Sequence, residues 1–189
     1  MALFEICYEW VLPHEAGTPP RYNITADPVS PLPNPDNDPA IAADNDRRRL
    51  AQACAGINSY WYRLDFAFIA ALAEADRPAA VAAFYQRKFW SPQLAQIASN
   101  AVAAYLLDSE VNQGQGKGVK ILQTALGACG QPVKPDGCLG PASLTAVNLI
   151  PPAALKGPFQ NARIVAYNRI GGPNLSGWLK RAKLWPPFD

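Results

Sequence analysis

Ser99-Asn100-Ala101-Val102-Ala103-Ala104-Tyr105-Leu106-Leu107-Asp108-Ser109-Glu110-Val111-Asn112-Gln113-Gly114 is the stretch on which the fold turns. Its apolar run, Ala101–Leu107, is long enough for a core helix and too short for a membrane span. Helical periodicity begins upstream at Ser91-Pro92, a cap followed by a proline, and continues to about Val111 with a break near Ser99-Asn100. The Gly-rich hinge Gly114-Gln115-Gly116-Lys117-Gly118 then separates it from a second apolar helix, Val119–Leu126.

Working outward, the same periodicity recurs on both sides. Phe4, Cys7, Tyr8 and Val11 follow i, i+3, i+4, i+7, which predicts a first helix over about residues 3–13, closed by Pro13. Leu50, Cys54, Ile57 and Trp61 form another such stripe, led by Arg47-Arg48-Arg49. Residues 64–75 are apolar nearly all round, the mark of a central helix. Asp76-Arg77-Pro78 opens a helix running to Trp90, Gly140-Pro141 opens one through Val147, and residues 159–170 and 175–185 supply the last two. About eight helices with short connections predict an all-α globule. Residues 18–46 stand apart: seven of the 19 prolines lie between Pro19 and Pro39, with Asp27, Asp36, Asp38, Asp44 and Asp46, and no periodicity. So long an aperiodic stretch is either a functional loop or a disordered insert, and its place directly after Glu15 favours the functional loop.

Composition narrows the function. The chain has 189 residues, half of them apolar, which excludes wholesale disorder. A net charge of +2 is too small for nucleic-acid binding, which rests on dense Lys and Arg. One histidine and four scattered cysteines supply neither a zinc site nor a Ser-His-Asp triad. Cys129 and Cys138 bracket a short Gly/Pro loop, a spacing open to a local disulfide or to two free thiols. Cys7 and Cys54 fall on apolar faces, as buried small hydrophobes do. The start Met-Ala-Leu-Phe-Glu-Ile has neither a basic region nor a small-residue cleavage site, so no secretory signal is expected.

Chemistry centres on Glu15, in the exit His14-Glu15-Ala16-Gly17 of the first helix, before a loop offering Thr25 and Asp27. Glycoside cleavage needs such a supply: one carboxyl delivers a proton to the leaving oxygen, and a second group stabilises or activates what attacks. Spacing alone leaves Glu15 open to a bland reading as a solvated helix-end acid.

Further motifs bear on that choice. Tyr85-Gln86-Arg87-Lys88-Phe89-Trp90, Asp108-Ser109-Glu110-Val111-Asn112-Gln113-Gly114, Leu122-Gln123-Thr124-Ala125-Leu126-Gly127, Asp136-Gly137-Cys138-Leu139-Gly140-Pro141-Ala142-Ser143-Leu144 and Gly177-Trp178-Leu179-Lys180-Arg181 follow in order. Together they resemble glycoside hydrolase family 108, the lysozyme-like N-acetylmuramidases found among phage endolysins, with a C-terminal peptidoglycan-binding-type region. Val11-Leu12-Pro13-His14-Glu15-Ala16-Gly17 is similar to the family's Glu-Gly-Gly helix end, with Ala in place of one Gly. The resemblance implies a lysozyme-like fold, with a catalytic part over 1–83 and a helical part over 84–189, packed as one body. It implies cleavage of the β-1,4 bond between N-acetylmuramic acid and N-acetylglucosamine, with Glu15 as the acid and no metal or cofactor. The family's Gly-Gly loop is replaced here by Tyr22-Asn23-Ile24-Thr25 and Ala26-Asp27-Pro28, so the second group stays open between Asp27 and Thr25. Asp108, Asn112, Tyr22 and Trp90 are the substrate-binding candidates, each also open to a structural role. The implied partner is the peptidoglycan glycan strand, met by a monomer made in the cytoplasm and delivered to the periplasm or cell wall through a holin pore or a secretion apparatus. In the second case an immunity protein would accompany it. A catalytically degenerate binding protein of the same fold is the alternative.

Overall fold

The computed structural model describes residues 1–188 and divides into two units, one of residues 12–85 and one joining residues 1–11 to the chain from Gln86 onward. Helix α1 (Phe4–Ala16) starts in the latter and ends in the former, and helix α4 (Arg77–Phe89) runs the other way.

The C-terminal unit is built around α5 (Asn100–Gln113), whose residues Ala101 to Glu110 are all buried. Ten consecutive buried positions cover every face of a helix, so α5 is enclosed rather than amphipathic. The Ser99 hydroxyl accepts from the Val102 amide and fixes its start. After Gly114 come α6 (Gln115–Ala128), α7 (Pro141–Leu149), α8 (Pro152–Ile170) and α9 (Leu175–Ala182). Pro141 and Pro152 occupy first-turn positions, where a missing amide hydrogen costs nothing. Leu106, Leu107, Leu122, Leu155 and Phe159 are all but fully buried, each contributing about 1.5–3 kcal/mol of transfer free energy. Gly118 lets α6 approach α5: a Cβ there would stand 2.7 Å from Glu110 Cγ and 3.0 Å from its backbone nitrogen.

A buried amide organises the loop between α6 and α7. Gln123 Nε2 donates to Asp136 Oδ1 (2.9 Å), the Cys138 carbonyl (3.0 Å) and Ser143 Oγ (3.1 Å), while its Oε1 accepts from the Gly137 amide (2.9 Å). The Leu-Gln motif and the Asp-Gly…Gly-Pro motif therefore meet in one polar clasp. Cys129 and Cys138 beside it are free thiols, as are Cys7 and Cys54, so the disulfide alternative is not the one the structure adopts.

The unit of residues 12–85 departs from the helical expectation. The stripe Leu50, Cys54, Ile57, Trp61 is not a helix: β2 (Gln52–Cys54) and β3 (Ile57–Asn58) form a hairpin, and β1 (Thr25–Ala26) pairs antiparallel with β2 on its other edge. Cys54 opposes Ile57, leaving Ala55 and Gly56 as a two-residue turn with φ +47° and +78°. That is the turn class whose twist matches a hairpin. The stretch 18–46 is not wholly loop either, since α2 (Pro39–Arg49) starts within it behind an Asp38 cap that accepts from the Ala40 amide. Residues 64–75 are less central than their composition predicts. Helix α3 (Arg63–Ala71) buries only Phe66 and Ile69, whereas Leu64 and Phe68 are 84% and 63% exposed.

Candidate active site

Helix α1 does not stop at Pro13. It runs through it to Ala16 and closes on Gly17 (φ +83°), whose amide donates to the Pro13 carbonyl at 3.1 Å. Glu15 is thereby fixed on the last helical turn rather than in a loose exit, and it is half-buried. A cleft of about 460 Å³ opens beside it, lined by Glu15, Arg21, Asn23, Thr25, Asp27 and the hairpin turn at Gly56, among others. This volume is in the range of small-ligand sites. The structure thus brings together Glu15, Thr25 and Asp27, the three residues named as catalytic candidates.

The hairpin turn supplies the wall behind Glu15. A Cβ on Gly56 would fall 2.6 Å from Glu15 Oε2 and 2.8 Å from Tyr85 Oη. Both the left-handed φ and this contact demand glycine there. The buried Tyr85 hydroxyl donates to the Ala55 carbonyl at 2.8 Å, tying the turn to α4. Ala55 itself holds a left-handed backbone that costs an L-residue about 1–2 kcal/mol, strain located at the site. Burial, then the charges of Glu15 and Asp65, push the Tyr62 phenol up from its ordinary value, so Tyr62 senses the Glu15 carboxylate.

Asp27, on the same cleft lining, is held by Asn58. The buried Asn58 side chain donates from Nδ2 to both Asp27 Oδ2 (2.8 Å) and the Asp27 carbonyl (2.9 Å). The Asp27 amide donates to the Ala51 carbonyl at 2.9 Å. One carboxylate oxygen is therefore fixed while the residue stays exposed. Thr25 is exposed on β1, in register with Ala53. Arg21 and Asn23 add a cation and an amide to the lining. Sequence reasoning missed Asn58, Arg21, Asn23 and Gly56; only the Ala55-Gly56 pair between short apolar runs carried a legible signal, that of a turn.

The remaining candidates lie elsewhere. Tyr22 is not in the cleft lining; its carbonyl accepts from Arg77 Nη1 (2.9 Å) and Cys54 Sγ (3.2 Å), which anchors the chain entering β1. Trp90 packs edge-on against Phe4 at 5.7 Å in the C-terminal unit. Asp108 and Asn112 are not in the lining of the Glu15 cleft. Asp108 is 1% exposed and is ion-paired at 2.7 Å both to the buried Arg163 and to Arg181, while Asn112 Oδ1 accepts from the Tyr167 hydroxyl at 2.6 Å. Arg163 also donates to Tyr167 Oη and lies over the Tyr105 ring, 5.0 Å from its centroid. This network is internal fabric. No group of three or more metal-ligating side chains occurs among the described residues, and no described helix is long and apolar enough to cross a membrane.

Comparison with known families finds one feature. Residues 117–183 match a family model described as a predicted peptidoglycan domain, so this segment is peptidoglycan-related. The match takes in Gln123 and Ser143 of the clasp and Arg163, Tyr167 and Arg181 of the buried network, whose Asp108 and Asn112 lie outside it. No curated protein matches the chain.

Proposed function

We propose that the protein is a peptidoglycan hydrolase that cuts the β-1,4 bond between N-acetylmuramic acid and N-acetylglucosamine, as the resemblance to glycoside hydrolase family 108 implies. The observation that carries this reading is the convergence of Glu15, Asp27 and Thr25 on one cleft. Glu15, on a rigid helix end and partly shielded by the hairpin, protonates the glycosidic oxygen as positive charge develops on the sugar. Asp27, steadied by Asn58, faces that charge or orients the attacking water, and Thr25 offers a hydroxyl to the same water. Arg21 and Asn23 hold the sugar's polar groups. The peptidoglycan-related segment supports the choice of substrate. The protein acts at the cell wall, reached through a holin pore or a secretion apparatus.

Glu15→Gln tests this directly. The near-isosteric variant is expected to fold as the parent and to release reducing ends from purified peptidoglycan about 10²–10⁴-fold more slowly. Unchanged release would remove Glu15 from the mechanism. A second reading, a binding protein without catalysis, is favoured by the family match lying wholly outside the cleft. The same assay separates the two: pull-down on peptidoglycan with no reducing ends, from the parent protein, selects the binding reading.

A further inference from the structure

The C-terminal unit carries a second cavity, of about 340 Å³, between α6 and α8. Lys117, Lys120, Ile121 and Thr124 reach it from α6 at i, i+3, i+4 and i+7, and Ala162, Val165, Ala166, Arg169 and Ile170 reach it from α8 at the matching spacing. Two helical stripes thus face each other across a groove. Ile121, Val165 and Ile170, with the small side chains of Ala162 and Ala166, give its lining an aliphatic part. Val165 and Ile170 remain about half exposed, so apolar surface lies uncovered there. Lys117, Lys120 and Arg169 put three positive charges around it, no carboxylate lines it, and none of the three cations is in an ion pair among the described residues. Gln113 at the end of α5 adds an amide, Nε2, that is buried without a hydrogen-bond partner. A buried donor without a partner is unfavourable, and an acceptor in the groove would satisfy it.

We propose that this groove binds a short acidic peptide, and specifically the carboxylates and methyl groups of peptidoglycan peptide stems, an assignment that rests on the peptidoglycan reading above. Three cations and a free amide donor call for several carboxylate or carbonyl oxygens on one ligand. The aliphatic part of the lining calls for short side chains between them. The volume suits a few residues of peptide and excludes a folded partner. Stems project from alternate sugars of the glycan, so a site for them on the C-terminal unit would select peptide-bearing strands independently of bond cleavage.

The test uses the full chain and the synthetic acidic stem N-acetyl-L-Ala-γ-D-Glu-(Nε-acetyl)-L-Lys-D-Ala, whose amines are blocked and whose two carboxylates are free, followed by calorimetry or chemical-shift titration. The stem is expected to bind, less tightly as salt rises. Its affinity is expected to fall about tenfold when both its free carboxylates are amidated, and about tenfold in the double variant Lys117→Gln with Arg169→Gln. Ala166→Phe, which fills the groove at a partly exposed position, is expected to abolish stem binding yet leave the cutting of peptide-stripped glycan strands unchanged. Absence of binding, equal binding of the amidated stem, or affinity unaltered by the double variant overturns the proposal. Stem binding without cleavage of stripped strands by the parent protein would uphold the groove and overturn the hydrolase reading; cleavage without stem binding would do the reverse.

Discussion

Two carboxylates on helices have opposite fates in the two units. In the C-terminal unit Asp108 is sunk in the core and neutralised by Arg163 and Arg181, with aromatic rings around the guanidinium. In the unit of residues 12–85, Glu15 stands at a cleft against a strained turn, with Asp27 on the same lining. Around Asp108 the first region pairs its charges internally, which favours stability and leaves that carboxylate nothing to offer a ligand. The second keeps polar groups turned to the solvent and holds them with backbone geometry. Fabric and site use the same residue types; burial and partners distinguish them.

The sharpest way to break this comparison is Asp108→Ala. It leaves the Arg163 charge buried and unpaired, and should cost about 3–5 kcal/mol in urea unfolding. A variant of parental stability that no longer cuts glycan would transfer Asp108 to the site. Next in size is Glu110, also on α5, 5% exposed, whose carboxyl burial pushes up from 4.5 to about 8. Between those values the folded protein keeps a proton that the unfolded chain has released. Its stability should therefore be full below about pH 4.5 and decline towards pH 8, by a few kcal/mol in all. Glu110→Gln should flatten that decline and be the more stable protein at pH 8, read as the unfolding midpoint at pH 5 and pH 8.

Gly56→Ala sharpens the contrast from the other side. It forces a left-handed alanine onto Glu15 Oε2, so it should cost about 2 kcal/mol of stability and, by displacing the acid, about 100-fold in cleavage. Equal losses in stability and rate-limiting fold content, with normal activity in the folded fraction, would make the turn merely structural. Smallest is Ala55→Gly, which relieves the backbone strain and should raise stability by about 0.5–1 kcal/mol in thermal unfolding.

In the C-terminal unit Gly140-Pro141 marks the start of α7 and Ala101–Leu107 marks the core of α5. By contrast, Ser91-Pro92 opens no α-helix, α6 begins at Gln115 inside the expected hinge, and α8 begins at Pro152 rather than 159. The hairpin was not legible in the sequence. Strands of two or three residues are too short to display alternation, and Leu50, Cys54, Ile57 and Trp61 happen to repeat at helical spacing. Pro13 misled for a different reason: it costs a helix one hydrogen bond, yet α1 continues for three more residues and carries Glu15 with it. Glu15, Thr25 and Asp27 could be named from the chemistry they carry. Asn58 could not, since its role comes from a partner 31 positions away. Asp108 could not be told from a cleft residue either, because its two arginines lie 55 and 73 positions further along.

Those two arginines have a consequence for biosynthesis. Arg181 sits on the last helix, where the Tyr105 hydroxyl also grips the Ala182 carbonyl at 2.6 Å. The unit of residues 12–85 leaves the ribosome complete, while the other waits for its final turn of helix before its central acid is neutralised. A premature stop just ahead of α9 would therefore deliver a finished cleft joined to an unfinished bundle, a product that cellular proteases would clear.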